Sequence, residues 1–301
     1  MTYETIHYGT ADGIATITLN RPDHLNTIVP PMTDEIEAAV GVAVLDEDVK
    51  VIVLRGAGRA FCGGFNFGDG FHQWDEGLTR NGQWDPGNDF IMVTAPQTGW
   101  VPKFMSLWNS PKPVIAMVHG WAVGGGSELA LCADIVIMSE DARIGTPYSR
   151  MWGCHHAGMW VYRLGLAKAK EYALTGRPLS GIEATDVGLV NKAVPFEDLE
   201  FETYKMAAEL ASIPLSQLAS MKMIVNQAYD NMGLKSTQLL GSVLDGLMRN
   251  TPEAIDFIQM AERDGVSAAV KTRDELFGDY SQAPIGDKPN RENVFAAPGS
   301  A

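Results

Sequence analysis

Apolar and polar residues alternate over the first twenty positions, which is the pattern of strands that bury one face. The two alternating segments read YETIHYG and IATITLN, and the turn residues TADG between them predict a β-hairpin. The spacing then changes to three and four residues over PPMTDEIEAAVGVAVLDED, which predicts a helix. The next segment, VKVIVLRG, is almost wholly apolar and ends in glycine, as a buried strand does.

Strands and helices continue to alternate through the middle of the chain. The pattern predicts an amphipathic helix over QTGWVPKFMSLWNS, a strand over KPVIAMVHG, a short helix over GGSELALCA and a strand over DIVIMSE. Such alternation is typical of a layered α/β core. Residues 66–96 are rich in Gly, Asp, Asn, Gln and Trp, so we expect a long insertion loop there, either functional or disordered.

From about Leu164 onward the pattern predicts helices. Four of them cover AKAKEYALTG, SGIEATDVGLV, EDLEFETYKMAAELASI and PLSQLASMKMIVNQAYDN, and two more precede Tyr280. The last opens at NTPEA, with Thr251 as N-cap and Pro252 at the first helical position. We therefore expect a core over residues 1–200 that contains the insertion, a C-terminal helical region over 201–280, and a flexible tail over 281–301.

Composition narrows the function classes. The apolar fraction of 46% and the charged fraction of 20% fit a soluble globular protein, and no apolar run approaches the roughly 20 residues of a membrane span. The net charge of −14 argues against binding to nucleic acid. Three separated cysteines without a CxxC pair argue against disulfides and zinc, and no signal peptide is visible, so a cytoplasmic location is expected.

Two glycine-rich turns are the best candidates for chemistry. In HGWAVGGGSELALCAD, three glycines end a strand and open a helix, where backbone N–H groups are available to a ligand. Glu128 lies one turn into this apolar helix, so burial would raise its pKa toward acid–base use; alternatively it only satisfies backbone donors. The second turn, GRAFCGGFNFGDGF, is either a plain turn or the source of another amide near Phe65, which would complete an oxyanion hole.

The order of several motifs resembles the crotonase, or enoyl-CoA hydratase/isomerase, superfamily over roughly residues 3–277. They are ITLNRPDHLNT, VIVLRGAGRAFCGG, KPVIAMVHGWAVGGGSELALCADIVI, ARIGTP, LTGRPLSGIEATDVGLVNKAVP and DGVSAAVKTRDELF. The resemblance implies an α/β crotonase (ClpP-like) fold of repeated ββα units with a C-terminal helical trimerisation region. It also implies homotrimers that often pair into hexamers, an acyl-CoA thioester substrate, and no metal or cofactor beyond the coenzyme A of the substrate.

The resemblance also implies roles for particular residues. The thioester carbonyl would lie between the backbone amides of Phe65 and Gly125. Lys271 and Arg273 would supply positive charge if a neighbouring subunit presents them; alternatively they form a solvated helix face. The residues expected to bind the acyl-CoA substrate are His24, Ala60, Gly64, Asn66, Phe67, Gly124 and Lys271.

Hydratases of this superfamily use two glutamates, and here the sequence departs from the pattern. The first glutamate corresponds to Glu128, but the second position, 20 residues on, is Tyr148 within IGTPY. A phenol with a pKa near about 10 is a poor base and a good hydrogen-bond donor, so Tyr148 would orient substrate or water. His155 or His156 would supply a second base, or both would be surface residues.

These observations favour an enoyl-CoA hydratase with Glu128 as its principal acid–base group. Isomerisation, decarboxylation or C–C hydrolysis of an acyl-CoA or cyclic β-keto substrate is the alternative, because the second glutamate is replaced. A non-catalytic CoA-binding scaffold is an alternative of another class. The insertion would form an aromatic lid over a bulky acyl group, or else a disordered or trimer-packing loop; its aromatic residues, with the following tryptophan, are Phe67, Phe71, Trp74, Trp84, Phe90 and Trp100.

Overall fold

The computed structural model describes residues 2–67, 78–81, 83–95 and 97–280. The strands in this part are β1 (Ile6–Ala11), β2 (Ile14–Leu19), β3 (Val51–Gly56), β4 (Thr79–Arg80), β5 (Gln83–Trp84), β6 (Val114–Val118), β7 (Trp121–Val123), β8 (Ile135–Ser139), β9 (Arg143–Gly145), β10 (Leu179–Ser180) and β11 (Lys192–Val194). The helices are α1 (Pro30–Leu45), α2 (Pro86–Thr94), α3 (Trp100–Asn109), α4 (Gly125–Leu131), α5 (Met159–Leu164), α6 (Leu166–Thr175), α7 (Gly181–Asp186), α8 (Leu199–Ala211), α9 (Leu215–Asn231), α10 (Leu234–Met248), α11 (Pro252–Asp264) and α12 (Val266–Asp274).

The main sheet has six strands in the order β1-β2-β3-β6-β8-β11. The predicted hairpin is confirmed: β1 and β2 pair antiparallel, and the turn between them places Asp12 and Gly13 at positive φ. The remaining neighbours pair parallel, which requires helical crossovers. The predicted helix α1 and strand β3 are also confirmed.

Both faces of the main sheet are buried, which explains why its strands are almost continuously apolar. In β3, Ile52 and Leu54 pack into the large core shared with α1, α3 and α4, whereas Val51 and Val53 face a second core. Helix α8 covers that second core with Leu199. The expected boundary at residue 200 therefore falls within the first turn of a helix that packs on the sheet.

A second sheet, in the order β10-β9-β7, lies beside the main sheet and carries the repeated unit of the fold. Strands β6 and β7 lead into α4, and β8 and β9 follow in the same way, so each repeat begins with two strands. The alternation had predicted only one strand in each repeat. Strands β7 and β9 have three residues each, which is too short for a detectable alternation.

The long insertion loop predicted over residues 66–96 contains regular secondary structure in its described second half. Strands β4 and β5 pair antiparallel there, and helix α2 follows. Asp85 caps α2 by accepting hydrogen bonds from the backbone N–H groups of Gly87 and Asn88. The polar, glycine-containing composition concealed this helix. Residues 68–77, with Phe71 and Trp74, lie outside the described residues.

The C-terminal helical region ends in two helices, α11 and α12, that pack against each other and on Trp152. Thr251 caps α11 as predicted, but Gly265 at φ +88° ends that helix and α12 follows, so three helices occur where two were expected. Helices α11 and α12 pack through Phe257 and Ala269 onto Trp152. Within the described residues, no helix is long and apolar enough to cross a membrane. The expected flexible tail, 281–301, lies outside them.

Candidate active site

Two backbone segments meet side by side beyond the main sheet, one after β3 and one at β7. Cys62 pairs in parallel with Ala122, the Cys62 N–H donates to the Trp121 carbonyl at 2.9 Å, and the Val123 N–H donates to the Cys62 carbonyl at 3.0 Å. Three residues further along each segment, this register brings Phe65 level with Gly125. The two amides expected to form the oxyanion hole therefore belong to adjacent segments.

Glycines allow this close approach. Gly64 has φ +92°, and a Cβ there would lie 2.8 Å from the Val123 carbonyl oxygen. A Cβ at Gly125 would lie 2.5 Å from Cε2 of the Phe65 ring. Neither position accepts a side chain without displacing its neighbour. Packing therefore fixes both segments where the backbone N–H groups are needed.

Glu128 is buried, with 1% of its surface exposed, and three donors surround its carboxylate. The Tyr148 hydroxyl donates to Oε1 at 3.0 Å, the His156 N–H donates to Oε1 at 3.1 Å, and the Ala157 N–H donates to Oε2. Burial raises the pKa of Glu128 above its usual range, although the charge of His156 and these donors oppose the shift. The carboxyl is therefore set to exchange a proton nearer to neutral pH.

Tyr148 stands 20 residues after Glu128, at the start of a short 3-10 turn, and its ring is held against Gly153. A Cβ at Gly153 would lie 2.7 Å from that ring, so only glycine fits. Burial and the charge of Glu128 raise the pKa of Tyr148 well above its ordinary value. The phenol therefore remains protonated and acts as a hydrogen-bond donor, as the sequence suggested.

A cavity of about 1850 Å³ opens in front of these groups. Tyr148, His156, Phe65 and Gly125 line it, but Glu128 is not among the described residues that do. The carboxyl lies behind the Tyr148 hydroxyl and faces the cavity through it. This is a finding that spacing along the chain had not indicated.

The two adjacent histidines have different surroundings. The His156 Nε2 lies 2.9 Å from Oδ1 of Asp245, on α10, and its imidazole lines the cavity. His155 does not line the cavity within the described residues; its Nε2 lies 3.5 Å from the Thr146 hydroxyl. Burial lowers the pKa of His155 to about 4, so its ring is neutral at pH 7. The arrangement thus favours His156 as the functional histidine.

A line of alternating charges extends from His156 into the insertion. Asp245 accepts hydrogen bonds from Arg249 at 2.6 and 3.0 Å, Arg249 also binds Asp89 of α2 at 2.9 Å, and the Trp84 indole donates to Asp89 at 2.9 Å. Burial acts to raise the pKa of Asp245, but the charges of His156 and Arg249 outweigh it and lower that pKa. Sequence reasoning missed Asp245 and Arg249 because they occur in an ordinary helical segment far from the glycine-rich turns. It missed Asp89 because that residue lies in the insertion, whose helix the sequence did not reveal.

The comparisons with known proteins agree with this geometry. The family model described as enoyl-CoA hydratase/isomerase matches residues 9–249. The chain belongs to the enoyl-CoA hydratase/isomerase family. A probable enoyl-CoA hydratase of Rhodobacter capsulatus is 33% identical over 280 residues, which covers 92% of this chain and 99% of the relative. A probable mitochondrial enoyl-CoA hydratase of Dictyostelium discoideum is 34% identical over 72% of this chain and 73% of its own length.

Solved structures confirm the crotonase fold. A crystal structure of an enoyl-CoA hydratase from Mycobacterium smegmatis superposes with a TM-score of 0.87 at 36% identity, and the alignment covers 94% of this chain and 98% of the other. An enoyl-CoA hydratase/isomerase from Xanthobacter autotrophicus superposes with a TM-score of 0.77 at 31% identity, covering 92% and 99%. As a member of this family the chain is an enzyme.

Most residues expected to contact coenzyme A in this family line the cavity, namely His24, Gly64, Asn66, Phe67, Gly124 and Lys271. Ala60 does not: it is fully buried beneath Trp121 and Tyr280, and its carbonyl accepts a hydrogen bond from Asn26, because the turn folds inward there. The exposed neighbour Arg59 lines the cavity instead.

Lys271 and Arg273 reach the cavity of their own chain, so no neighbouring subunit is needed to present them. The reason is that α12 folds back over residues near Trp152. Arg273 is paired with the buried Asp274 at the adjacent position, whereas Lys271 is exposed at the rim. Of the two, Lys271 is better placed to meet a phosphate from solvent.

Aromatic side chains form one wall of the cavity. Of the residues expected in an aromatic lid, Phe67, Trp84 and Trp100 line it, and Trp100 packs edge-on against Phe65 with 5.0 Å between ring centroids. Phe90 does not line it within the described residues and is 43% exposed. Within the same residues, no group of three or more His, Cys, Asp or Glu side chains is arranged to hold a metal ion.

The buried, neutral His155 predicts a loss of stability in mild acid. Its pKa is near 6.5 in an unfolded chain and about 4 in the folded one, so the unfolded chain binds the proton first. The stability that His155 contributes is therefore fully present above pH 6.5 and is lost as the pH falls toward 4. From pH 7 to pH 5 we expect this residue to contribute a loss of about 2 kcal/mol. Urea unfolding at both values would measure it, and His155→Gln should show a smaller pH effect; an equal effect in both proteins contradicts the prediction.

Proposed function

We propose that this protein is an enoyl-CoA hydratase, which adds water reversibly across the C2=C3 bond of a 2-enoyl-CoA thioester. The observation that carries the proposal is the meeting of Glu128 and Tyr148 at a cavity edged by the paired Phe65 and Gly125 segments. Relatives named probable enoyl-CoA hydratases, at about a third identity over most of the chain, support it.

In the proposed reaction, the thioester oxygen accepts hydrogen bonds from the backbone N–H groups of Phe65 and Gly125. Attack of water on C3 moves the π electrons of the double bond onto that oxygen, which forms a thioester enolate. Fixed amide donors stabilise such a charge more in a water-poor site than in solvent, because they need no reorganisation. The packing of Gly64 and Gly125 supplies that rigidity.

The proton for C2 comes from the Glu128–Tyr148 pair. A carboxyl with a raised pKa is a usable acid near neutral pH, and the phenol lies between it and the cavity. For this step Glu128 is protonated and its O–H turns to the Tyr148 oxygen. Tyr148 then gives its proton to C2 as it takes one from Glu128, so the phenol never accumulates as a phenolate. Glu128 thus remains the principal acid–base group, acting through Tyr148.

We further propose that the acyl group is bulky or contains a ring. Phe67, Trp84, Trp100 and Trp152 offer flat apolar surfaces along the cavity, and such walls suit rings. The coenzyme A would enter past Lys271 and His24, with no further cofactor. Because Cys62, Cys132 and Cys154 are all free thiols, we place the enzyme in the reducing cytoplasm, in fatty acid or related acyl-CoA metabolism.

Double-bond isomerisation is the second candidate. It needs one acid–base unit that moves a proton between C2 and C4, and the Glu128–Tyr148 pair is such a unit. The replacement of the second glutamate by Tyr148 favours this alternative. The same oxyanion hole would stabilise the enolate in both reactions.

A panel of thioesters separates these functions. The protein would be incubated with saturated, 2-enoyl, 3-enoyl, β-keto and ring-bearing acyl-CoAs, and products would be followed by mass spectrometry. Hydration adds the mass of one water, isomerisation leaves the mass unchanged, and decarboxylation removes carbon dioxide. We expect hydration of 2-enoyl-CoAs, fastest with ring-bearing ones. Binding of the thioesters without turnover of any of them contradicts the proposal and favours a scaffold.

We propose that the protein assembles as a homotrimer, or as a hexamer made of two such trimers. Helix α9 has no buried residue among those described, although it carries several large apolar side chains. An exposed apolar face of this extent marks a protein interface, and we assign it to two further copies of this chain. Its members on α9 and α10 are Met221, Met223, Ile224, Val225, Leu239, Leu240, Leu244 and Leu247.

Ile224→Lys is expected to dissociate the trimer, because it would bury an unpaired charge in the interface. Leu45→Lys is the matched control, since Leu45 is equally apolar and 84% exposed at the end of α1. Light scattering coupled to size exclusion would show a monomer for the first variant and a trimer for the second. A monomeric unmodified protein contradicts the proposed assembly.

A further inference from the structure

We propose that His156 is the second proton-transfer group of the site, in the place of the glutamate that this chain lacks, and that Asp245 is its positioning residue. The inference rests on the proposed hydratase function and deepens it. It identifies His156 as the group that accepts the proton lost by the attacking water, because the Glu128–Tyr148 pair does not take up that proton. It also gives a role to a carboxylate 89 residues away on α10.

The geometry of the imidazole carries the inference. Its Nε2 lies 2.9 Å from Oδ1 of Asp245, so an Nε2–H donates to that carboxylate. Its Nδ1 is buried and has no hydrogen-bond partner among the described residues. A buried polar atom without a partner indicates a position for water or ligand. With a proton fixed on Nε2, Nδ1 keeps its lone pair and accepts a proton.

His156 also borders the cavity, although only 2% of its surface is exposed. His156 lines the cavity beside Tyr148 and Trp100, and the Trp100 and His156 ring centroids are 4.2 Å apart in an edge-to-face arrangement. Its own backbone N–H donates to Glu128. His156 and the Glu128–Tyr148 pair are therefore adjacent, and Tyr148 and His156 belong to the same short loop.

Titratable and charged groups from several elements surround His156. They are Glu128 of α4, Tyr148 and His155 of its own loop, Asp245 of α10 and Asp89 of α2. Arg249 holds Asp245 by two hydrogen bonds and is itself bound to Asp89 of α2. Arg249 thus holds the charged Asp245 carboxylate beside His156 Nε2. The carboxylate keeps the proton on Nε2 and stabilises the imidazolium that forms.

The proposed hydration conserves atoms, electrons and protons. The water oxygen bonds to C3, the electrons of the C2=C3 bond move to the thioester oxygen, and the proton lost by water binds His156 Nδ1. The enolate re-forms the thioester carbonyl as C2 takes a proton from Tyr148, which takes one from Glu128. Release of the proton from His156 to solvent and uptake of a proton from solvent by Glu128 restore the resting state. The net change is the addition of one water.

His155 does not compete for this role. Its Nδ1 is also without a partner among the described residues, but it has no carboxylate at Nε2 and lies off the cavity. Asp245 is therefore the feature that separates the two histidines.

The test compares two reactions of the full-length enzyme. Hydration of a 2-enoyl-CoA needs both His156 and the Glu128–Tyr148 pair. Exchange of the C2 proton of a saturated acyl-CoA in D₂O needs the Glu128–Tyr148 pair alone. We expect His156→Gln to lower kcat for hydration by about 10²- to 10³-fold, with KM within about threefold and C2 exchange within about threefold of the unmodified enzyme. Asp245→Ala should lower kcat for hydration by about 10- to 100-fold, and KM and C2 exchange should again stay within about threefold of the unmodified enzyme.

Nitrogen-15 NMR of histidine-labelled protein supplies a readout without turnover. The unmodified enzyme should show the His156 proton on Nε2, and Asp245→Ala should lose that preference. Asp134→Asn is the matched control, because Asp134 is another ion-paired carboxylate bound by a C-terminal helix, through Lys222 at 2.7 Å, away from the cavity. It should alter stability but not kcat.

Three results would overturn the proposal: hydration within threefold of normal in His156→Gln, an equal loss of hydration and C2 exchange, or an Nδ1–H tautomer in the unmodified enzyme. An equal loss would mean that His156 serves structure only. Failure of the proposed function is visible elsewhere, in an unmodified enzyme that hydrates no 2-enoyl-CoA.

Discussion

Glu128→Gln is expected to lower kcat for hydration by about 10³-fold and to leave KM within a few-fold of its normal value. General acid–base groups contribute roughly 10²- to 10⁴-fold, and this carboxyl is the only one in contact with the Tyr148 hydroxyl among the described residues. The amide oxygen still accepts hydrogen bonds from Tyr148 and His156, whereas the NH2 group cannot accept the bond from the Ala157 N–H and cannot deliver a proton. Substrate binding, which depends on other residues, should change little.

Steady-state kinetics with the best thioester of the panel measures this effect, and C2 exchange in D₂O should fall by a similar factor. Glu183→Gln is the matched control, since Glu183 belongs to a capping box at α7 that a glutamine also forms. Its kcat should remain normal. Thermal unfolding would verify that both variants fold. A Glu128→Gln enzyme within tenfold of normal activity contradicts the mechanism.

Gly125→Ala is expected to lower kcat by about 10²- to 10³-fold, the usual cost of removing one oxyanion donor. The added Cβ would lie 2.5 Å from Cε2 of Phe65 and 3.1 Å from Cδ1 of Ile28, so the Phe65 ring must move. We expect this movement to displace the Phe65 and Gly125 amides from the thioester oxygen. Overpacking of this kind also destabilises a fold by about 1 to 3 kcal/mol.

The matched control for this variant is Gly41→Ala in α1. A Cβ at Gly41 meets nothing within 4 Å, and alanine in a helix is favoured over glycine by about 0.5 to 1 kcal/mol. We expect normal kcat and a slightly higher free energy of unfolding, measured by urea titration. If Gly125→Ala also keeps full activity, the expected displacement of the oxyanion hole is contradicted.

Local sequence patterns determined much of the fold. The hairpin, α1, β3 and the cap at Thr251 follow from short-range rules of burial and hydrogen bonding, which act within a few residues. Motif order identified the family, and it correctly brought Glu128 and Tyr148 into one site. The same rules failed in α2, where glycine and polar residues concealed a helix, and in β7 and β9, which are too short to show a period.

The tertiary structure alone decided how the site is organised. No local rule could place Asp245 beside His156, Asp89 beside Arg249, or Glu128 behind the Tyr148 hydroxyl, because these contacts join residues that pack together from separate elements. Nor could sequence distinguish His155 from its neighbour, since a single residue of offset turns one imidazole to the cavity and the other to the interior. The amino-acid sequence by itself determined the fold and predicted Glu128 as the acid–base carboxyl, whereas packing decided which groups line the cavity.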